Sequence, residues 1–135
     1  MANISVNRLL KSMQRKFKLA SVDNFDIDFL DALRRTVGRI NVNADLETRI
    51  TMPDNTQGTL NLDDAYEYVV TNCLIVELWK MGLAIRGDKD NEFALRIERR
   101  VDDDIDMIRQ DILNQARDDD PDDEDDLVAL GGLGD

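Results

Sequence analysis

The 135-residue chain has no histidine, a single cysteine and no apolar run near the roughly 18 residues of a membrane span. Without histidine it lacks the usual neutral-pH acid–base group and the commonest zinc ligand. The single Cys73 excludes an intramolecular disulfide framework and a cysteine-based zinc site. Neither a Ser-His nor a Cys-His nucleophile pair can be assembled. The phosphate cradle GxxxxGK(S/T), the dinucleotide motif GxGxxG and the elbow GxSxG are all missing. The opening MANISVNRLLKSM has no apolar signal-peptide core, so a soluble intracellular protein without membrane association is expected. No catalytic residue and no cofactor is indicated.

Apolar residues at 42% and 7 glycines are ordinary for a globular chain, and the length suits one domain. Charge is high at 34%, with Asp+Glu 29 against Lys+Arg 17, and the net charge of -12 argues against a non-specific DNA clamp. The charge is unevenly spread. From Asp118 onward nine acids meet no base, which leaves residues 1–117 nearly balanced, with 20 acids against 17 bases. Residues 1–117 are therefore expected to form a helical domain, and 118–135 an acidic flexible tail. The run DDDPDDEDD repels itself and should be extended and disordered, with Pro121 ending the preceding helix. LVALGGLGD follows. It is either the end of a solubilising tail or a docking peptide anchored by Leu127, Val128, Leu130 and Leu133, with the acids steering it toward a basic surface.

Four helical patterns stand out, giving an all-α class. The first covers about 4–17, with Asn3 or Ser5 as cap, Leu9, Leu10, Met13 and Phe17 on one side, and bases but no acid over 1–18. The second covers about 24–41. There Leu30, Leu33, Val37 and Ile40 form a stripe, and Arg34, Arg35 and Arg39 are expected to face water or a partner. The third, LDDAYEYVVTNCLIVELWKMGL, has Asp63 or Asp64 as cap and Gly82 as the stop. It is apolar on nearly every face, so other helices must surround it. Cys73 inside it reads as core, because burial quiets a thiol. Some of Tyr66, Tyr68 and Trp79 are expected to pack on another subunit.

The fourth pattern runs from about 89 to 116, with Asp88 or Asp90 as cap and a stripe of Ala94, Ile97, Val101, Ile105, Ile108 and Ile112. At 1.5 Å per residue it is a rod of roughly 42 Å. A body of this size spans only about 35 Å. The rod should therefore overhang and find cover elsewhere, a coiled-coil seam being the competing reading. Between the second and third helices, Leu46, Thr48, Ile50 and Met52 alternate as in a strand, and Leu60 and Leu62 do the same beyond PDNTQG. A long loop or β-hairpin is expected there. A lone two-stranded ribbon is marginal, so it should lie on the helices or pair with a neighbour.

No metal site is expected. The calcium-loop template asks for Gly at its sixth position and Glu at its twelfth. Counted from Asp88 those places hold Phe93 and Arg99, and counted from Asp118 they hold Asp123 and Ala129. Asp102, Asp103, Asp104 and Asp106 surround the fourth helix as a solvated acidic face, with a two-carboxylate magnesium site as the alternative.

The order of parts carries a resemblance. A basic first helix precedes FLDALRRTVGRINVN, then come a long, partly extended loop, LDDAYEYVVTNCLIVELWKMGL and the charged DNEFALRIERRVDDDIDMIRQDI. Over residues 5–117 this resembles the head-to-tail connector, or adaptor, proteins of tailed bacteriophages in helix order, loop position and texture. The acidic tail departs from that pattern. The resemblance implies a four-helix bundle that assembles as a homo-oligomeric ring, typically of 12 copies, between the portal protein and the next tail or neck protein. DNA would pass through without sequence-specific binding. Such a protein is made in the host cytoplasm and resides in the virion at the head–tail junction. Carried onto this chain, Leu46, Ile50, Met52, Leu60, Leu62, Tyr66, Tyr68 and Trp79 would make inter-subunit contacts. Asp102, Asp103, Asp104 and Asp106 would line the DNA channel, repelling phosphates. Ile112, Leu127, Val128, Leu130 and Leu133 would dock on the portal. The rival from another class is a small acidic DNA-mimic inhibitor of a nucleic-acid-binding enzyme.

Overall fold

The computed structural model describes residues 3–18, 25–44, 49–88 and 90–118. These are mostly helical, with four helices and a small two-stranded antiparallel sheet among the described residues. In chain order they form strand β1 (Asn3–Ser5), helices α1 (Val6–Lys16) and α2 (Phe25–Ala44), strand β2 (Thr59–Asp63), a 3-10 turn (Asp64–Tyr66), and helices α3 (Glu67–Lys80) and α4 (Glu92–Asp118). Leu46 and the tail anchors Leu127, Val128, Leu130 and Leu133 lie outside the described residues.

Helix α1 starts where Ser5 accepts the Arg8 N–H on its hydroxyl at 3.3 Å. Arg15 and Lys16 in its last turn suit the negative end of the helix dipole. Helix α3 is the centre of packing, touching α2, α4 and α1. It buries Val69, Val70, Cys73, Leu74, Ile75, Val76 and Leu78, residues that point in almost every direction around its axis. The chain leaves α3 through Gly82, whose φ of 99° a side chain would resist. Its N–H donates to the Trp79 carbonyl at 2.9 Å, and the Leu83 N–H donates to Leu78 at 3.2 Å, closing the helix end.

The start of α4 is built differently from its end. Asn91 sits in the left-handed region at φ 61°, which asparagine tolerates better than most residues. Asp88 then reaches forward, its two carboxylate oxygens accepting the amides of Phe93 and Ala94 at 3.1 and 3.3 Å. Ala94, Ile97, Val101, Ile105 and Ile108 face the core and are buried, and Ile112 packs at its edge. Beyond Ile112 the rod runs on with Leu113 exposed.

Among the described residues of the 43–62 segment, 49–58 form no strand beside β2. Strand β2 instead pairs antiparallel with β1, Ile4 opposite Leu60 and Ser5 opposite Thr59. This pairing drops Ile4, Leu60 and Leu62 together into the core. Ile4, taken in the sequence as the start of the first helix, is therefore strand. Residues 49–51, within the expected other arm, are held by side-chain amides. Asn41 of α2 donates to the Ile50 carbonyl at 2.9 Å and accepts the Ile50 N–H at 2.8 Å. From the other side Asn61 accepts the Thr51 N–H at 2.8 Å and donates to the Arg49 carbonyl at 2.9 Å. Two asparagines thus do for residues 49–51 what a neighbouring strand would, and Ile50 is pressed into the core. At the tip Gly58 lies so close to Pro53 that a Cβ there would come within 2.5 Å of the ring.

Losing a pair of hydrogen bonds at about 0.5–1.5 kcal/mol each sets the scale for this clamp. Asn41→Ala should lower stability by about 1–3 kcal/mol in urea unfolding and speed proteolysis at 49–52. A change within error, with no faster cleavage, would show that the segment is held by packing alone.

Candidate functional site

The described surface holds no three His, Cys, Asp or Glu side chains gathered as a metal set, and no described helix is long and apolar enough to cross a membrane. What the helices do bring together is charge. Arg39 of α2, placed by the sequence toward water or a partner, is only 22% exposed in its side chain. It donates to Asp102 of α4 at 2.9 Å and lies 3.7 Å from Glu77 of α3. One guanidinium therefore joins three helices. Lys80 pairs with Glu98 at 2.9 Å between α3 and α4, and Arg8 pairs with Glu67 at 3.2 Å between α1 and α3.

This network redistributes the acidic cluster. Asp102 is already occupied by Arg39, whereas Asp103 and Asp106 face outward and are exposed. Asp104 is half-buried on the opposite flank of α4, near Tyr68. At 100° per residue four carboxylates over five positions cannot share one face, so the cluster does not form a single acidic wall. Burial, and then the charges of Asp104 and Asp111, hold the Tyr68 phenol above its ordinary value. Burial, and then Asp111 and Asp63, do the same for Tyr66.

The residues expected at subunit contacts divide into two groups. Ile50, Leu60, Leu62 and Tyr66 are buried in the chain's own core, so they offer no surface to a neighbour. The reason is the β1–β2 pairing and the asparagine clamp, which turn these side chains inward. Trp79 and Met52 pack against that core, and the Trp79 indole N–H donates to Asn91 at 3.1 Å, tying α3 to the start of α4. Tyr68 is the exception, 49% exposed beside α4. Other large apolar side chains open to solvent are Ile27 and Val42 on α2 and Leu95, Met107 and Leu113 on α4. Ile112, expected at the portal, is half-buried at the edge of the core.

The sequence reading missed a basic end. Backbone bonds between the end of α1 and residues 84–86 set Lys16 beside Arg86 on the wall of an open cleft. The five bases over 1–18 were the visible signal, but their neighbour Arg86 is some 70 residues away in the chain. Cys73 is the remaining reactive group. Burial pushes its thiol up to about 12, and the nearby Arg39 is the influence that opposes it. Comparison with protein-family models, curated proteins and solved structures gives no match for the chain.

Arg39→Ala leaves the part-buried Glu77 without the cation 3.7 Å away and should cost about 1–3 kcal/mol, the scale for stranding a buried polar group. Asp102→Asn, at a side chain 70% exposed, should cost under about 1 kcal/mol. Equal losses in chemical denaturation would contradict the ordering. Cys73 should also resist a thiol reagent at pH 8 until the chain unfolds. An unfolded thiol, at its ordinary 9.0, releases its proton before the folded one, so the stability Cys73 contributes is complete below pH 9 and is lost between 9 and about 12. Both tyrosines shift the same way from 10.0. Cys73→Ala should therefore delay the onset of alkaline destabilisation toward pH 10, and an unchanged onset would remove the thiol from the account.

Proposed function

We propose that the chain is a non-enzymatic structural protein, a head-to-tail adaptor of a tailed bacteriophage whose four helices pack as a bundle and whose copies close into a ring between portal and tail. The observation that carries this reading is the polarity of α4. It is one continuous helix of 27 residues, about 40 Å long. Its first third bears Arg96, Arg99 and Arg100 against Glu92 and Glu98, and its later part bears Asp102, Asp103, Asp104, Asp106 and Asp111 against Arg109 and Arg117, so the helix runs from a slight basic excess to a clear acidic one. Its covered stripe gives out near Ile112, with Leu113 and Met107 open. A strut of that kind suits a subunit placed side by side with copies of itself, its outward acids toward a DNA channel.

The internal cover of Ile50, Leu60, Leu62 and Tyr66 moves the contact surface away from the loop. Tyr68, Met107 and Leu113 are apolar groups left for a neighbour on α3 and α4, with Ile27 and Val42 on α2 and Leu95 near the start of α4 open as well. Channel lining narrows in the same way to Asp103 and Asp106, because Asp102 serves Arg39. Fixed negative charge there would repel phosphates and let DNA slide. The basic end weighs against the DNA-mimic alternative, since a mimic presents one sign of charge to its target.

Native mass spectrometry with a portal ring tests the reading. A ring of this chain, near twelve copies, should form on the portal, while the chain alone associates weakly. Asp103→Asn with Asp106→Asn should then increase DNA retention by the assembled rings. No affinity for a portal, together with tight, salt-sensitive binding to a nucleic-acid enzyme, would overturn it in favour of the inhibitor.

A further inference from the structure

The described chain has a built basic cleft at one end and, at the other, the start of its own acidic run. Helix α1 finishes with Arg15 and Lys16, and residues 84–86 return beside it. The Lys18 N–H donates to the Ala84 carbonyl at 2.8 Å, and the Arg86 N–H to the Lys16 carbonyl at 2.8 Å. Lys16, Arg86, Ile85 and Phe93 line the resulting cleft of about 310 Å3. Asp88 is the one acid on its wall, and both its oxygens accept amides from the first turn of α4. Arg96 and Arg99 stand on the next turns of that helix. Among the described residues, none of Lys16, Lys18, Arg86, Arg96 and Arg99 has a carboxylate within 4.0 Å. Arg8, Arg34, Arg35, Arg39 and Lys80 are paired between or along helices, whereas Lys16, Lys18, Arg86, Arg96 and Arg99 are among the described cations that are not.

At the far end α4 reaches Asp118, the first residue of DDDPDDEDD, with LVALGGLGD after it. From Phe93 to Asp118 the helix axis covers about 38 Å. The chain from Asp118 to Asp126 spans at most about 29 Å at full extension. Even at full extension the acidic run stops about 9 Å short of Phe93, so most of its acids cannot lie in the cleft of their own chain. The same run on another copy has no such limit.

We propose that residues 118–126 of one copy dock in the Lys16–Arg86 cleft of a second copy. The acids pair with Lys16, Lys18 and Arg86, and the apolar residues that follow settle over the half-buried Phe93. Each copy then carries one acidic donor and one basic acceptor at opposite ends. Such a contact is head-to-tail, so it repeats from copy to copy and closes into a ring where the rotation allows. The inference rests on the ring reading only for that closure. The pairwise contact needs no portal, so the two can fail separately.

Two full-length variants test it. One carries Lys16→Glu with Arg86→Glu and keeps its tail. The other keeps the cleft and has the eight acids of 118–126 changed to Asn or Gln. Circular dichroism should show both folded as the parent is. In sedimentation velocity at low salt the parent should self-associate with concentration, and each variant alone should remain a monomer. An equimolar mixture should recover a 1:1 dimer and stop there, because the second donor and second acceptor are missing. The recovered affinity should exceed that of either variant alone at least about tenfold and fall by about as much in 0.5 M salt, where the screening length is only a few ångström. A parent that stays monomeric, variants that associate like the parent, or a mixture that fails to recover the dimer would each overturn the proposal. So would a mixture that stays apart while the tail-neutral variant binds a duplex DNA oligonucleotide through Lys16 and Arg86, which would assign the cleft to nucleic acid.

Discussion

Helix α3 is apolar around most of its circumference, and the cost of leaving that surface wet governs where everything else lies. Fully burying a valine, leucine or isoleucine is worth about 1.5–3 kcal/mol, and α3 buries six such side chains together with Cys73. No single neighbour can cover a helix of that kind. Helices α2 and α4 take two sides, α1 a third, and the β1–β2 pair adds Ile4, Leu60 and Leu62 to the same continuous core. The inert thiol and the raised tyrosines are consequences of this crowding.

Polar groups then fix the arrangement that burial favours. Hydrophobic contact is tolerant of direction, whereas Asn41, Asn61, Asp88 and Arg39 are not. Each satisfies named backbone or side-chain groups that the packing would otherwise strand. Arg39 ties α2 to both α3 and α4 on one side of the molecule, and Trp79 ties α3 to the first turn of α4 through Asn91. Lys80–Glu98 and Arg8–Glu67 add two further ties between helices. The charges outside these pairs lean basic around the end of α1 and acidic over the later part of α4, and that leaning, more than any pocket, gives the surface its character.

Much of the helical layout is legible in the residues because it is local. The Ser5 cap, the stripe from Ala94 to Ile108, the buried Cys73 and the Gly82 stop all follow from neighbours a few positions away. What escapes is non-local. Leu60 and Leu62 announce a strand, but nothing within reach says that its partner is Asn3–Ser5, and Ile4 suits the start of a helix stripe equally well. Asn41 and Asn61 look like ordinary polar positions until Ile50 and Thr51 are placed beside them. Arg39 falls off its helix's apolar stripe and so reads as exposed; only the approach of α3 and α4 gives it Glu77 and Asp102. The apolar excess of α3 is visible in the residues, but the part of its cover that comes from β1 and β2 is not, because that pairing joins distant parts of the chain.

Native-state hydrogen exchange followed in dilute protein tests most directly whether the chain covers α3 by itself. Amides of residues 70–78 should show protection equal to global unfolding, and that protection should not change with protein concentration. Fast exchange along α3 at low concentration, slowing as copies are added, would contradict the account and return the cover to a second molecule.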